Sequence, residues 1–298
     1  MADWAIVATV KAPEEQVLAF VAHHLALGCA QIALFFDDPD DPVAEVASRL
    51  PRVEVTRCDA AHWARLGARP ERHQNRQARN ALRSYRRCRQ PWMAHIDVDE
   101  FLWPEVAPSE LLDTIHRHQL LVRAEPFEAL HDPDLPDDIF TARQFRGPMK
   151  APHAALRCEI LGPLATVLTE GVLSHSVGKA FFRTGIPRLV PGIHGGAIAG
   201  ERIPGLPFDP RMKLLHFHAQ DRTRWLAALP FRLERGAYRY RPGLHAHLSA
   251  ASQAEITAFY DATQRVTPEQ ARRLAGAGRL VEADLGLNAR VAALRVEG

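Results

Sequence analysis

The chain has 298 residues, 47% of them hydrophobic and 24% charged, with a net charge of +2. That length and balance describe a soluble globular α/β protein of one large domain or two smaller ones, and exclude a disordered or fibrous chain. The four cysteines (Cys29, Cys58, Cys88, Cys158) form no C-x-x-C pair, which excludes a disulfide frame or a cysteine zinc site and points to a reducing compartment.

No apolar run approaches the roughly 18 residues of a membrane span. Asp3 and Trp4 stand where a signal peptide would carry a basic and then an apolar region. The expectation is a cytoplasmic protein, with contact at the inner membrane as a peripheral option.

Residues 5–10 read as a short strand that ends at Lys11. Pro13 opens a helix in which Val17, Leu18, Val21, His24 and Leu25 recur at helical spacing, and Gly28 stops it. Residues 32–36 read as a second strand leading into Asp37-Asp38-Pro39-Asp40-Asp41-Pro42. A β-α-β opening followed by acids suits a nucleotide site, with Asp37 accepting hydrogen bonds from a base or ribose. A solvated turn is an equal reading, because Asp and Pro are turn residues.

Residues 43–50 predict a helix and 53–57 a strand. In the helix that follows, Arg72, Arg76, Arg79, Arg83, Arg86 and Arg87 share one face, and Ala78, Ala81, Leu82 and Tyr85 lie opposite. Such a face could meet an anionic membrane, nucleic acid or an acidic glycan. A face that meets only solvent is the plainer reading, since 33 of the 37 basic residues are Arg.

Residues 92–96 predict a buried strand, which ends in Asp97-Val98-Asp99-Glu100. In open α/β sheets ligands bind at the C-terminal ends of strands. In extended chain Asp97 and Asp99 point to the same side, and two such carboxylates need a positive charge between them. A hard divalent cation carrying a diphosphate fits; a turn or a helix cap is the plainer alternative.

Beyond this segment, 108–118 predict a helix, 120–124 a strand and 126–152 a long functional loop. Short strands are expected at 157–160 and 172–175, and a hairpin joins 179–183 to 189–190 around Gly185-Ile186-Pro187. Gly192-Ile193-His194-Gly195-Gly196 marks a sharp turn or a close backbone approach. Residues 212–218 predict a strand with His216 and His218 on one face, where neutral imidazoles suit a divalent metal. A helix follows from Asp221. Tyr238-Arg239-Tyr240-Arg241 suits a sugar-binding groove or a surface turn, and helices are expected at 252–266 and 268–275.

The pattern W-x-x-x-I-D-x-D-E-F-L from Trp92 to Leu102 resembles the D-x-D segment of family-two-like bacterial glycosyltransferases. That group opens with an apolar strand and K-N-E, then a helix ending in H-x-x-x-G, then a strand and an acidic loop. Here these are Lys11, His24-Leu25-Ala26-Leu27-Gly28 and Leu34-Phe35-Phe36-Asp37-Asp38, with Ala12 and Pro13 replacing the N-E pair and Ala19-Phe20 replacing a family E-W pair. Gln74 and Gln77 match the Gln of the helix before the D-x-D strand. Lys179, His194 and the Leu214-Leu215-His216-Phe217 run followed by Arg235-Gly236 match later family features.

The resemblance implies a nucleotide-diphospho-sugar transferase (GT-A) fold: a mixed, mainly parallel central sheet flanked by helices, over residues 1–236. A C-terminal helical extension, 237–298, packs on the same domain. It implies transfer of a sugar from a nucleotide-sugar donor, UDP- or GDP-linked, to a hydroxyl of a glycan or lipid-linked acceptor, with Mn²⁺ or Mg²⁺. Lys11, Asp37 and Asp97 are the nucleotide candidates. Asp99 is the metal candidate, with His216 or, as alternate, His218.

Lys179 is assigned to an acceptor or donor phosphate. His194 and Glu100, with Glu170 as a further choice, are candidates for the general base. No nucleic-acid partner is expected. Two rivals stand: a degenerate transferase that binds a glycan or anionic surface through its Arg-rich helix, and a sugar nucleotidyltransferase. The second normally carries a Gly-rich loop where this chain has Lys11-Ala12-Pro13-Glu14.

Overall fold

In the computed structural model, which describes residues 2–297, the apolar runs at the start of the chain form β1 (Trp4–Val10), α1 (Glu14–Ala26) and β2 (Gln31–Phe36). Next come α2 (Val43–Ser48), β3 (Val53–Arg57), α3 (Ala60–Arg65), α4 (His73–Arg87), β4 (Trp92–His95), β5 (Glu100–Pro104), α5 (Pro108–Asp113) and β6 (Leu121–Ala129). The middle of the chain holds β7 (Gln144–Arg146), α6 (Ala154–Leu161), β8 (Lys179–Arg183), β9 (Leu189–Pro191), β10 (Gly196–Ile198), β11 (Glu201–Arg202) and β12 (Phe208–His216). It ends with α7 (Arg222–Glu234), α8 (Pro242–Ala250), α9 (Gln253–Gln264), α10 (Pro268–Gly276), β13 (Leu280–Glu282) and α11 (Leu287–Glu297).

The chain divides into two units. The first is Met1–Glu125, Val177–Leu214 and Gly286–Gly298; the second is Pro126–Ser176 and Leu215–Leu285. In the first, β3, β2, β1 and β4 lie side by side and parallel, with Val10 opposite Phe36 and Val7 opposite His95. β8 joins β4 antiparallel, and the start of β6 joins β8 antiparallel. This is the α/β class with the mixed, mainly parallel sheet that the sequence predicts. The chain steps outward from β1 to β3, then returns to set β4 on the other side of β1. Such a reversal opens a crevice at the C-terminal ends of the two strands that part there.

Val7, Phe35, Trp63, Ala81, Tyr85, Met93 and Phe182 form a core of this unit, and Trp4 and Phe20 are fully buried as well. Each large apolar side chain so buried is worth about 1.5–3 kcal/mol. α11 packs on α1, where Arg295 pairs with Glu14 at 3.4 Å.

In the second unit Glu128 and Ala129 pair with Arg146 and Phe145, and β13 pairs with β7 on its other side. Its core gathers Trp225, Tyr238, Phe259, Tyr260, Leu244, Leu248 and Leu274. Capping boxes start α9 (Ser252 with Glu255) and α10 (Thr267 with Gln270).

Several expectations change. The loop expected over 126–152 is shorter, because β6 continues through Pro126 and β7 pairs with it. Residues 157–160 belong to helix α6, and 172–175 are irregular. β8 and β9 form no hairpin: β9 lies in a separate three-stranded sheet with β10 and β11. β12 ends at His216, so His218 lies beyond the strand. Tyr238 is a fully buried core residue. Residues 215–285, Gly236 among them, belong to the second unit, and α11 belongs to the first. Among the described residues no helix is long and apolar enough to cross a membrane.

Candidate functional site

Within the first unit, the C-terminal ends of β1, β2 and β4 bring Lys11, Asp37 and Asp97 to one edge of the sheet. Lys11 is exposed. The Asp37 carboxylate is gripped at both oxygens by Arg76, whose Nε and Nη2 donate at 2.6 and 2.8 Å, and Arg69 adds a third bond at 3.2 Å. The Asp97 carboxylate is also held at both oxygens: Gln77 Nε2 donates to one at 2.6 Å and Lys179 Nζ to the other at 2.6 Å. Arg76 and Gln77 are consecutive residues of α4, so one helix turn ties the acidic segment after β2 to the one after β4.

Asp97-Val98-Asp99-Glu100 is a turn, not extended chain. The Glu100 N–H donates to the Asp97 carbonyl at 3.0 Å, and the Asp97 N–H donates to the Glu100 carboxylate at 2.8 Å. Glu100 is fully buried and 3.4 Å from Lys179 Nζ. The sequence calls for a positive charge between Asp97 and Asp99; the fold places Lys179 between Asp97 and Glu100.

Burial works against the Lys179 charge, but Asp97, Glu100 and Asp99 outweigh it and raise the amine above its ordinary range. Three carboxylates against one ammonium leave two negative charges. That balance fits a divalent cation, and Asp99 is half-buried beside the fully buried Glu100.

Lys179, which the resemblance assigns to an acceptor or donor phosphate, bonds Asp97 and lies 3.4 Å from Glu100. His73, the first residue of α4, lies in the fields of Arg76, Asp97, Asp37 and Lys11, and burial is the main cause that lowers its pKa. No spacing rule singles out His73, because its place is set by how α4 docks.

His194 is held through Nδ1, which donates to the Gly178 carbonyl at 2.9 Å, one residue before Lys179. A carbonyl only accepts, so Nδ1 carries the proton and the neutral ring keeps its lone pair on Nε2. The loop closes on itself where the Gly192 N–H donates to Gly195 O at 2.7 Å. A Cβ at Gly192 would lie 2.6 Å from that same oxygen, so only glycine fits.

His24, part of the family-like H-x-x-x-G run, is fully buried. Its Nδ1 donates to Phe20 O at 2.8 Å and its Nε2 accepts from the Leu102 N–H at 3.3 Å. Neighbouring His23 donates to Leu102 O at 2.8 Å. The pair latches α1 to β5, just after the acidic turn.

In the second unit the His216 ring lies 5.0 Å from that of His175 and 5.3 Å from that of His218. His218 Nε2 is engaged by Arg232 Nη1 at 2.5 Å and Tyr238 Oη at 2.9 Å. Glu170 accepts from the Ser176 hydroxyl. A groove of about 1160 Å³ in this unit, lined by His131, Asp134, Arg265, Gln270 and Glu282 among others, contains none of the residues assigned from sequence.

No known family's sequence profile matches this chain, and no curated protein matches it in sequence. Among solved structures it is similar to the mannosyltransferase Ktr4p from S. cerevisiae, with 12% identity over 44% of this chain and a TM-score of 0.26; the likeness covers 40% of that protein. It is also similar to TarS (residues 1–349) from S. aureus, with 10% identity over 98% of this chain and 83% of that one, and a TM-score of 0.37.

Proposed function

We propose that the chain is a metal-dependent glycosyltransferase that moves a sugar from a nucleotide-sugar donor to an acceptor hydroxyl. The observation that carries the reading is the gathering of Lys11, Asp37 and Asp97-Val98-Asp99-Glu100 at the strand ends where the sheet order reverses. A nucleotide diphosphate lies across such a crevice in open α/β sheets. The D-x-D-E-F pattern and its ordered companions add the resemblance to glycosyltransferases.

In this reading Lys11 meets the donor's anionic part. Asp37, oriented by Arg76, reads the base or ribose. Asp97 faces the ribose or the cation's water shell, with Gln77 and Lys179 fixing its two oxygens. Asp99 is the carboxylate ligand of a divalent cation, Mn²⁺ or Mg²⁺. When bound, that cation neutralises the charge that develops on the leaving diphosphate.

His194 is the preferred general base. Its Nδ1–H is committed to Gly178 O, so Nε2 takes the proton from the acceptor hydroxyl. Glu100 suits that role less, since it is buried and bonded to the Asp97 N–H and Lys179.

Calorimetric titration with UDP, GDP, CMP and dTDP, with and without Mn²⁺, tests this on wild type and Asp99→Ala. One nucleotide should bind in the presence of metal, and Asp99→Ala should weaken that binding by about tenfold or more, roughly 1.4 kcal/mol. Absence of binding by all four, with and without Mn²⁺, would sink the proposal.

A further inference from the structure

Residues 172–176 have no regular secondary structure, yet four side chains hold their backbone or ends. Glu128 accepts from the N–H groups of Leu173 and Ser174 at 3.1 and 2.5 Å. Arg241 donates to the carbonyls of Val172 and Leu173 at 2.9 and 2.6 Å, and reaches Ser174 O at 3.4 Å. Lys150 donates to Ser176 O at 3.0 Å, and the Ser176 hydroxyl donates to Glu170. Five residues without a helix or strand are thus fixed by two cations and two carboxylates. The side chain this clamp positions against a strand end is His175, whose ring faces that of His216.

The spacing suits joint coordination. A metal–nitrogen bond of about 2.1 Å puts each ring centre roughly 3.2 Å from the metal, and bonds about 90–110° apart then separate the centres by about 4.5–5.3 Å. The observed separation is 5.0 Å, with the rings inclined at 38°. Two packed imidazoles reach similar distances without a metal, so spacing alone does not decide. The clamp on Leu173, Ser174 and Ser176, on either side of His175, and the placing of His216 at the last residue of β12 do, because ligands must be held where simple packing partners need not be. His218 is excluded by the Arg232 guanidinium against its Nε2.

We propose that His175 and His216 are paired imidazole ligands of a divalent transition-metal ion, and that the pair favours Mn²⁺, Co²⁺ or Zn²⁺ over Mg²⁺. Imidazole nitrogen suits the first-row transition metals, whereas Mg²⁺ keeps oxygen ligands and dehydrates reluctantly. The inference adds His175 to His216, which the transferase resemblance already offers as a metal ligand, and its test needs no nucleotide.

The test is Co²⁺ titration of the full chain without nucleotide, followed by visible absorption and by paramagnetic broadening of the histidine NMR signals. Wild type should bind and broaden the signals of His175 and His216, and Mg²⁺ in large excess should not displace the ion. His175→Ala and His216→Ala should each weaken binding by about tenfold or more, and Arg241→Gln should weaken it with both ligands retained. Lack of Co²⁺ binding by wild type, unchanged binding by a folded His175→Ala, or displacement by Mg²⁺ would each overturn it. Nucleotide binding measured on the same wild-type sample is independent of this outcome, so failure here is distinguishable from failure of the transferase reading. Should His175→Ala not fold, the broadening in wild type decides alone.

Discussion

Lys179 keeps its charge in a place where burial alone would strip it. Its amine is about as buried as an apolar core atom, and what holds the proton is the ring of Asp97, Glu100 and Asp99 around it. Breaking a buried ion pair from one side costs about 3–5 kcal/mol, since the partner keeps its charge without water or counter-ion. Lys179→Met should therefore destabilise by that amount in urea unfolding, with fully buried Glu100 bearing most of the loss. Adding Glu100→Gln should recover more than half of it, giving a favourable coupling in a double-mutant cycle. Additive effects would mean that the amine and Glu100 are not a working pair.

At the scale of one element, α4 shows how a face drawn on a helical wheel is divided by the fold. Arg76 is turned inward onto Asp37, and Arg79 donates to the carbonyls of Leu66 and Ala68, closing the loop before the helix. Arg72, Arg86 and Arg87 remain exposed. Arg76→Glu should cost about 2–4 kcal/mol, because it faces Asp37 with a like charge in a mostly buried place. Arg86→Glu and Arg87→Glu should each change stability by under about 0.5 kcal/mol. Equal effects at the three positions, read by thermal melts, would contradict that division.

The same helix shows what the sequence makes legible. Its apolar stripe repeats at the helical period, and Ala81 and Tyr85 are buried as that stripe predicts. The polar residues that organise the site, Gln77 on Asp97 and Asn80 on Thr9 and His62, obey no period and depend on which loop ends meet the helix. Strands β1, β2, β3 and β4 were legible because each is a short apolar or β-branched run bounded by turn residues. Residues 157–160 read equally well as strand or helix over four positions, and only their neighbours in α6 decide. Residues 172–175 are apolar enough for a strand, but their backbone groups bond to side chains instead of to a neighbouring strand. The acidic turn was found by its composition, while the cation that serves it arrives from a strand 82 residues away in sequence.

Over the whole molecule, acid sensitivity is the property these details add up to. His23, His24 and His95 are buried in the first unit and His218 in the second, and burial is the leading cause that lowers the pKa of each. For His23 and His95 the folded value falls to about 4, from 6.5 in an exposed imidazole. Above pH 6.5 both the folded and the unfolded chain leave these rings neutral, so their contribution to stability is complete. As pH falls below 6.5 the unfolded chain takes up protons that the folded one refuses, and stability drops until the folded rings protonate near pH 4.

Each ring contributes up to about 1.4 kcal/mol per pH unit inside that window, less as pH nears 4, so His23 and His95 together account for about 6 kcal/mol by pH 4, comparable to the roughly 5–15 kcal/mol that holds a domain folded. The Tm should fall steeply between pH 6.5 and 4.5 while changing little from pH 7 to 8. His23→Gln keeps a donor for the Leu102 carbonyl and His95→Asn keeps one for Gly192 O, and neither amide titrates. The double variant should lose stability less steeply over that pH range, measured by circular dichroism at each pH. A slope identical to that of wild type would show that the acid loss comes from carboxylates and not from these buried imidazoles.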